Sequence, residues 1–143
     1  VASVSGHQGC AAAGDRVMGM LKNCGGAGFV TDGPMRDYAG LVEVGLPAWC
    51  TGLTPGSPFT KGPATVGLPI NIGRQKIESG DVIVADRDGV VVVPHNKIDF
   101  VINRLSKVAE LEYSLDAEVR GGLKIPDPVK DMILDDNVKF VDD

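Results

Sequence analysis

The chain is poor in cysteine, histidine and basic charge, and it has no long apolar run. Its three cysteines, Cys10, Cys24 and Cys50, are odd in number and share no C-x-x-C spacing. That excludes a disulfide framework and a zinc site of the usual close spacing. Neither histidine, His7 or His95, is tied to a cysteine by a known motif, so no Cys-His nucleophile is indicated. Fourteen Lys+Arg against nineteen Asp+Glu leave a net charge of −5, the wrong sign for a protein that must displace counterions from nucleic acid. No apolar stretch approaches the roughly 18 residues of a membrane span, and no basic-then-apolar leader opens the chain. Three reduced, partly buried thiols suit a cytoplasmic location.

What is present suits one α/β domain. A chain of 143 residues, 43% of them hydrophobic, can bury roughly two-thirds of its unfolded surface without a disulfide or metal staple. We read residues 1–143 as a single domain with a C-terminal tail over 122–143. The first residue is Val1, already inside an alternating apolar stretch, and the expectation is that an N-terminal portion is missing.

Val1–Ser5 alternates like a strand, and His7–Gly14 reads as a loop. Asp15–Asn23 has the pattern of a short helix ended by Gly25-Gly26. Gly28–Thr31 and Pro47–Thr51 are short strand candidates. Between them, Pro34 suits the first position of a helix running to Val44 and ending at Gly45. Gly52–Pro63 is a long Gly/Pro/Ser/Thr-rich loop, a kind that is usually functional. Val66–Ile72 and Gln75–Ile77 follow as strands. Asp81–Ala85 and Gly89–Val93 are β-branched strands joined by the Asp86-Arg87-Asp88-Gly89 turn. Asn96 is placed to cap a long helix in a box with Asp99. In that helix Ile98, Val101, Ile102, Leu105, Val108 and Ala109 keep the i, i+3, i+4, i+7 rhythm as far as Gly121-Gly122. The tail has room for a helical turn near Met132–Leu134 before Asp142-Asp143. The order βαβαβ, then strands, then helix implies a mixed sheet.

Two glycine turns open helices and carry charge. One is Gly14-Asp15-Arg16-Val17; the other is Asp32-Gly33-Pro34-Met35-Arg36-Asp37. Helix N-termini expose unpaired N–H groups that favour anions, and ligands of open α/β sheets gather outside the carboxyl ends of strands. Arg36 adds a planar fork matched to a carboxylate. Asp37 can pair with Arg36 or bind a hard cation. From spacing alone, both also serve as ordinary first-turn residues on a solvated face.

Asp15, twenty intervening residues and then Arg36-Asp37 match the D-x20-R-D signature of class II pyruvate aldolases of the 4-hydroxy-4-methyl-2-oxoglutarate aldolase type, which resemble the regulator of ribonuclease E activity A (RraA). Gly25-Gly26-Ala27-Gly28-Phe29-Val30-Thr31-Asp32-Gly33 resembles that family's approach to the Arg-Asp pair. Gly45-Leu46-Pro47, Gly80–Asp86 and Asp88–Pro94 also look like family segments, so the resemblance covers about Gly14 to Gly121. It implies a swivelling βαβ-type domain with a mixed sheet, assembled as a homotrimer or hexamer with sites at subunit interfaces. It further implies divalent-metal-dependent retro-aldol cleavage of 4-hydroxy-2-oxo acids to pyruvate plus a second oxo acid, with oxaloacetate decarboxylation as a side activity.

The resemblance implies roles as well. Arg36 binds the pyruvyl portion and stabilises developing oxygen charge, and Asp37 ligates Mg²⁺ or Mn²⁺. Asp15 holds a water for proton transfer. The Gly14–Val17 turn receives the substrate carboxylate through N–H groups near Arg16 and Val17. An acidic residue of a neighbouring subunit's C-terminal helix is implied too, with Glu110, Glu112 and Glu118 as candidates.

The chain departs from the family at Ser5–Cys10, which is expected to line the pocket. It departs again at Arg16, where many relatives are apolar; Arg16 either binds a second carboxylate or faces solvent. His95 and Lys61 read as surface residues, Asp86 and Asp88 as turn formers, and Trp49 as core or interface packing. Two other readings compete. One is a non-catalytic protein-binding regulator of ribonuclease activity, the other a Schiff-base aldolase using a lysine such as Lys22, which would need a lowered pKa from burial.

Overall fold

A computed structural model describes residues 1–58 and 61–141, in two compact units, Val1–Ile98 and Asp99–Asp143. Residues 59 and 60 of the expected loop, and the closing Asp142-Asp143, lie outside the described residues. Among the described residues no helix is long and apolar enough to cross a membrane.

The first unit is built on two sets of parallel backbone pairings. In one, β1 (Phe29–Val30) pairs in parallel with β2 (Ala48–Trp49), and Ala2 adds a parallel bridge to Thr31. The expected strand over Val1–Ser5 is therefore reduced to a single bridge. In the other set, Met35 forms parallel bridges to Ala13 on one side and Leu53 on the other. Helices α1 (Asp15–Asn23) and α2 (Tyr38–Val44) pack on one another. Behind them Ala13, Met18, Met35 and Leu46 form a buried cluster, edged by Leu21, Phe29, Leu41 and Val44. Helix α1 has the predicted bounds because its signals are local: Gly14 opens it and Gly25, at φ 82°, reverses the chain.

Helix α2 corrects the sequence reading. It starts at Tyr38, not Pro34, and Arg36 and Asp37 precede it. The cause is long-range pairing. The Met35 N–H donates to Gly52 O at 2.9 Å and the Arg36 N–H to Ala13 O at 3.1 Å, while Thr54 N–H reaches Met35 O at 2.9 Å. Segment 34–36 is thus an extended backbone held between two others, and proline's fixed φ suits that state as well as a helix.

Two antiparallel strand pairs follow. β3 (Ile70–Ile72) pairs with β4 (Gln75–Ile77), and β5 (Val82–Ala85) pairs with β6 (Val90–Val93) in the register Val82 to Val93. Val66–Pro69 stays outside β3. The mixed pairing expected of this α/β fold is realised in separate two-stranded ladders. Asp86 is a turn former, its Oδ1 accepting the N–H groups of Asp88 and Gly89. Trp49 links β2 to that turn through an indole N–H to Asp86 O bond of 2.7 Å. Asn96 is not a cap: it lies within a 3-10 turn, His95–Lys97. Its expected task falls to Asp81, whose Oδ1 accepts the His95 N–H at 2.9 Å from a distance in sequence that no capping pattern covers.

The second unit contains α3 (Ile98–Arg120, which begins at the end of the first) and α4 (Asp127–Ile133). The apolar rhythm of α3 is real, but none of its side chains is buried; Leu105 is 56% exposed. Glu110, Glu112 and Glu118 are all exposed on it.

The Asp32 carboxylate ties down the N-terminal segment. It accepts the Val4 N–H at 2.6 Å, the Ser3 hydroxyl at 2.8 Å and the Gly6 N–H at 2.9 Å. Partial burial pushes its pKa up, but the bonds from Val4, Ser3 and Gly6 outweigh that and hold it below the ordinary value of 3.8. A carboxylate with a depressed folded pKa contributes stability above its unfolded value and loses it as pH falls through the folded value. We therefore expect Asp32→Asn to lower stability at neutral pH by about 1–2 kcal/mol. The gap to wild type should close as pH falls below 3.8. Denaturant melts of both proteins across that range check this; a gap independent of pH would show that the carboxylate charge is not what holds the segment.

Candidate active site

The six residues singled out in the sequence come together. Gly14, Asp15, Arg16, Val17, Arg36 and Asp37 line one cavity of about 380 Å³ in the first unit. Two backbone features converge there. The start of α1 presents the Gly14–Val17 turn, and the extended segment held by Ala13 brings Arg36 and Asp37 alongside it.

Arg36 is half-buried and held at both ends of its head group. Its Nη1 donates to Ser57 Oγ at 2.7 Å, and its Nε lies 3.3 Å from Asp37 Oδ2. The Nε–H is buried and has no hydrogen-bond partner among the described residues. The contact with Asp37 is therefore Coulombic rather than a directed bond, and it leaves the Asp37 lone pairs available to another cation.

Asp37 occupies the left-handed region, at φ 63° and ψ 47°, in the residue before α2. Such backbone is uncommon for a residue with a Cβ, though Asp tolerates it better than most. Gly14 makes the close approach possible. A Cβ built there would stand 2.5 Å from Asp37 Oδ2 and 3.0 Å from Arg36 Cγ. Gly40, on the first turn of α2, does the same for Asp15, whose carboxylate a Cβ would overlap.

Asp15 also corrects a simple picture of the turn. Its Oδ1 accepts the Arg16 N–H at 2.6 Å, so that N–H is already satisfied by a side chain. A ligand carboxylate at this position must displace Asp15 from it. Helix termini leave such N–H groups seeking partners, and Asp15 is the local answer.

The other expectations are met unevenly. Ser5–Cys10 does not line this cavity, and His7 is exposed. Lys61 is exposed, and His95 is a surface residue at the start of its 3-10 turn. The three cysteines are unpaired. Lys22 is exposed, with its Nζ donating to Val44 O at 2.5 Å, which is not the desolvated setting a Schiff-base lysine needs. Ser57 and Gly40 were not anticipated. Ser57 lies in the loop marked as long enough to be functional, but nothing in its neighbours singles it out. Gly40 looks like any small helical residue.

Among the described residues no group of three or more His, Cys, Asp or Glu is placed to hold a metal ion. The donor set therefore cannot form an all-protein cage. It does fit a hard, strongly hydrated cation such as Mg²⁺, which keeps most of its waters and takes one or two carboxylates. Asp37, 45% exposed at its side chain and lining the cavity, is the carboxylate that would be available to such a cation.

A family model described as RraA-like, Aldolase/RraA, matches residues 1–92. A Halalkalibacterium halodurans protein named "Putative 4-hydroxy-4-methyl-2-oxoglutarate aldolase" is 39% identical over 97 residues, covering 68% of this chain and 46% of its own. The chain thus spans about half the length of that relative. A solved Streptomyces coelicolor structure, described as an unusual member of the RNase ES inhibitor RraA protein family, is 33% identical with a TM-score of 0.73 over 79% of this chain and 58% of that one. An uncharacterized Pseudomonas syringae protein is 28% identical with a TM-score of 0.78, covering 85% and 62% of the two chains.

Proposed function

Because this chain belongs to the RraA-like, Aldolase/RraA family, we propose that its Asp15/Arg36/Asp37 cavity cleaves 4-hydroxy-2-oxo acids to pyruvate and a second oxo acid with a divalent metal. The observation that carries this reading is the gathering of all six residues around one cavity. A protein acting only by surface binding has no physical reason to hold Arg36 between Ser57 and Asp37, or to keep a glycine where Asp37 passes.

The chemistry follows from charge. Removing the C4 hydroxyl proton and breaking the C3–C4 bond leaves the electron pair on a pyruvate enolate, which is then protonated at C3. A bound Mg²⁺ or Mn²⁺, held by Asp37 and waters, supplies Lewis-acid stabilisation of negative oxygen. Arg36 presents its Nη groups to the same developing charge, and its Ser57 bond fixes their plane before the substrate arrives. The substrate carboxylate takes the N–H groups near Arg16 and Val17. In doing so it releases Asp15 Oδ1 to hold a water that carries the proton between the C4 oxygen and C3. Loss of CO₂ from oxaloacetate yields the same enolate, so decarboxylation belongs to the same site. The homotrimer or hexamer and the acidic residue lent by a neighbouring α3 are part of this proposal.

The test is pyruvate release from 4-hydroxy-4-methyl-2-oxoglutarate and from oxaloacetate, with Mg²⁺, with Mn²⁺ and with chelator. Metal-dependent release from both is expected. Release untouched by chelation, or none with any metal, would overturn it, and borohydride trapping of pyruvate on Lys22 would replace the metal by an imine. The second reading, a non-catalytic regulator, is favoured by the likeness to the Streptomyces structure. It predicts ribonuclease binding by a protein that is inert to both substrates.

Gly14→Ala tests the packing of the site. The added methyl must push Asp37 and Arg36 outward by a substantial fraction of an ångström. Misplacement on that scale can cost up to about 10²-fold in rate. We expect a 10- to 100-fold loss of pyruvate release with cooperative unfolding retained, measured by steady-state assay and thermal melt; full activity in the alanine variant would mean that the side chains yield freely.

A further inference from the structure

We infer that Gly40 is a positioning residue for the proposed reaction. By lacking a Cβ it places the Asp15 carboxylate where the substrate carboxylate must go, which makes Asp15 the competitor that the substrate displaces. This rests on the reading above that the N–H groups near Arg16 and Val17 receive the substrate carboxylate.

Nothing in the backbone of Gly40 calls for glycine. It lies in the first turn of α2 and is not among the glycines with positive φ, so an ordinary L-residue adopts its conformation without strain. Glycine is also the poorest helix former after proline, here in a helix of only seven residues. What does call for it is a neighbour. The three heavy atoms nearest to a Cβ built on Gly40 all belong to Asp15: Oδ2, which it would overlap, Cβ at 2.7 Å and Cγ at 2.9 Å. The tightness is confined to this point of the helix pair. A Cβ on Gly19 of α1 would come to 3.9 Å from Val44 Cγ2 of α2, an ordinary contact.

The two oxygens of Asp15 are thus placed by two different neighbours. Oδ1 accepts the Arg16 N–H at 2.6 Å, a bond the chain provides locally. Oδ2 lies against Gly40, and only the packing of α1 on α2 provides that. Asp15 borders both the catalytic cavity and a groove of about 490 Å³ between the two helices, which Gly40 also lines. There is room for the carboxylate once it leaves the N–H. A 2-oxo acid that takes the N–H must first displace it, and the acid's apparent affinity is reduced by the fraction of time for which Asp15 holds the position. The same displacement frees Asp15 as the substrate binds, so proton transfer is coupled to a bound carboxylate.

The test is calorimetric binding of pyruvate with saturating Mg²⁺ to wild type, Gly40→Ala, Asp15→Ala and the double variant. The added methyl of Gly40→Ala moves the Asp15 carboxylate off its position and should tighten pyruvate by about 3- to 10-fold, the factor expected where Asp15 leaves the N–H free for about a tenth to a third of the time. Asp15→Ala should tighten it at least as much, since both the occupant and its charge are gone. On that background Gly40→Ala should add no further tightening, because its effect passes through Asp15. A glycine needed only for packing predicts the opposite sign, weaker binding on substitution. Unchanged or weaker pyruvate binding by a folded Gly40→Ala protein therefore overturns the inference, and so does tightening that persists in full without the Asp15 side chain. If the Gly40→Ala chain does not fold, Asp15→Ala decides, and no tightening there overturns it too. Because the readout is binding, tightening in a protein that releases no pyruvate from either substrate sinks the aldolase reading alone. Pyruvate release without tightening sinks this inference alone.

Discussion

Arg36→Ala is expected to lower pyruvate release by about 10²- to 10³-fold, the usual effect of removing one preorganised group that faces developing oxygen charge. The fold should survive. The ion pair with Asp37 is a third to a half exposed, at 34% and 45%, and such pairs contribute about 0–1 kcal/mol. The backbone of Arg36 is fixed independently through Ala13 O, and that bond is untouched by the substitution. A thermal midpoint within about 4 °C of wild type is therefore expected for a chain of this size. Arg36→Lys should recover little, because a point charge cannot both bond Ser57 and present a planar fork to the ligand. If Arg36→Ala unfolds instead, the residue is a structural clamp and its assigned role is wrong.

Asp37 separates stability from activity more sharply. Its left-handed backbone penalises any residue with a Cβ, by about 1–2 kcal/mol for an ordinary L-residue, and glycine least. Asp37→Ala should thus be less stable than Asp37→Gly by about 1 kcal/mol, with Asp37→Asn nearer to glycine. Activity should follow a different order. Alanine and glycine both remove the carboxylate and should both fall by about 10²-fold or more at fixed metal concentration, since losing a ligand should exceed the 10- to 100-fold typical of its outer-shell partners. Asparagine keeps one neutral oxygen, so raising Mn²⁺ should restore part of its turnover. Denaturant midpoints set beside metal titrations of pyruvate release would test both orders. Equal stability of the alanine and glycine variants would show that the αL backbone is not strained. Undiminished activity in either would remove Asp37 from metal binding.

How much of this was readable in the chain depends on how local each signal is. Helix α1 was legible because Gly14 opens it and Gly25-Gly26 closes it within a dozen residues. The β5–β6 hairpin was legible because the aspartate and glycine of its turn bond within themselves. Pro34 misled because its φ fits two backbones, and partners far away in sequence, Ala13 and Leu53, chose the extended one. Asn96 misled for the same reason: Asp81 supplied the oxygen instead. The apolar rhythm of α3 correctly marked a helix, but periodicity carries no information about what covers a face, and α3 buries none of its own side chains.

The site divides along the same line. Residue types and their order carry the chemical inventory: two aspartates and an arginine at a set spacing, glycines beside them, and a charge that disfavours nucleic acid. How those groups meet comes from long-range backbone pairing. It set Arg36 and Asp37 ahead of α2 rather than inside it and gave Arg36 a partner in Ser57. The physical reason is that residue type and spacing specify which interactions are available, whereas backbone pairing between distant segments specifies which are made.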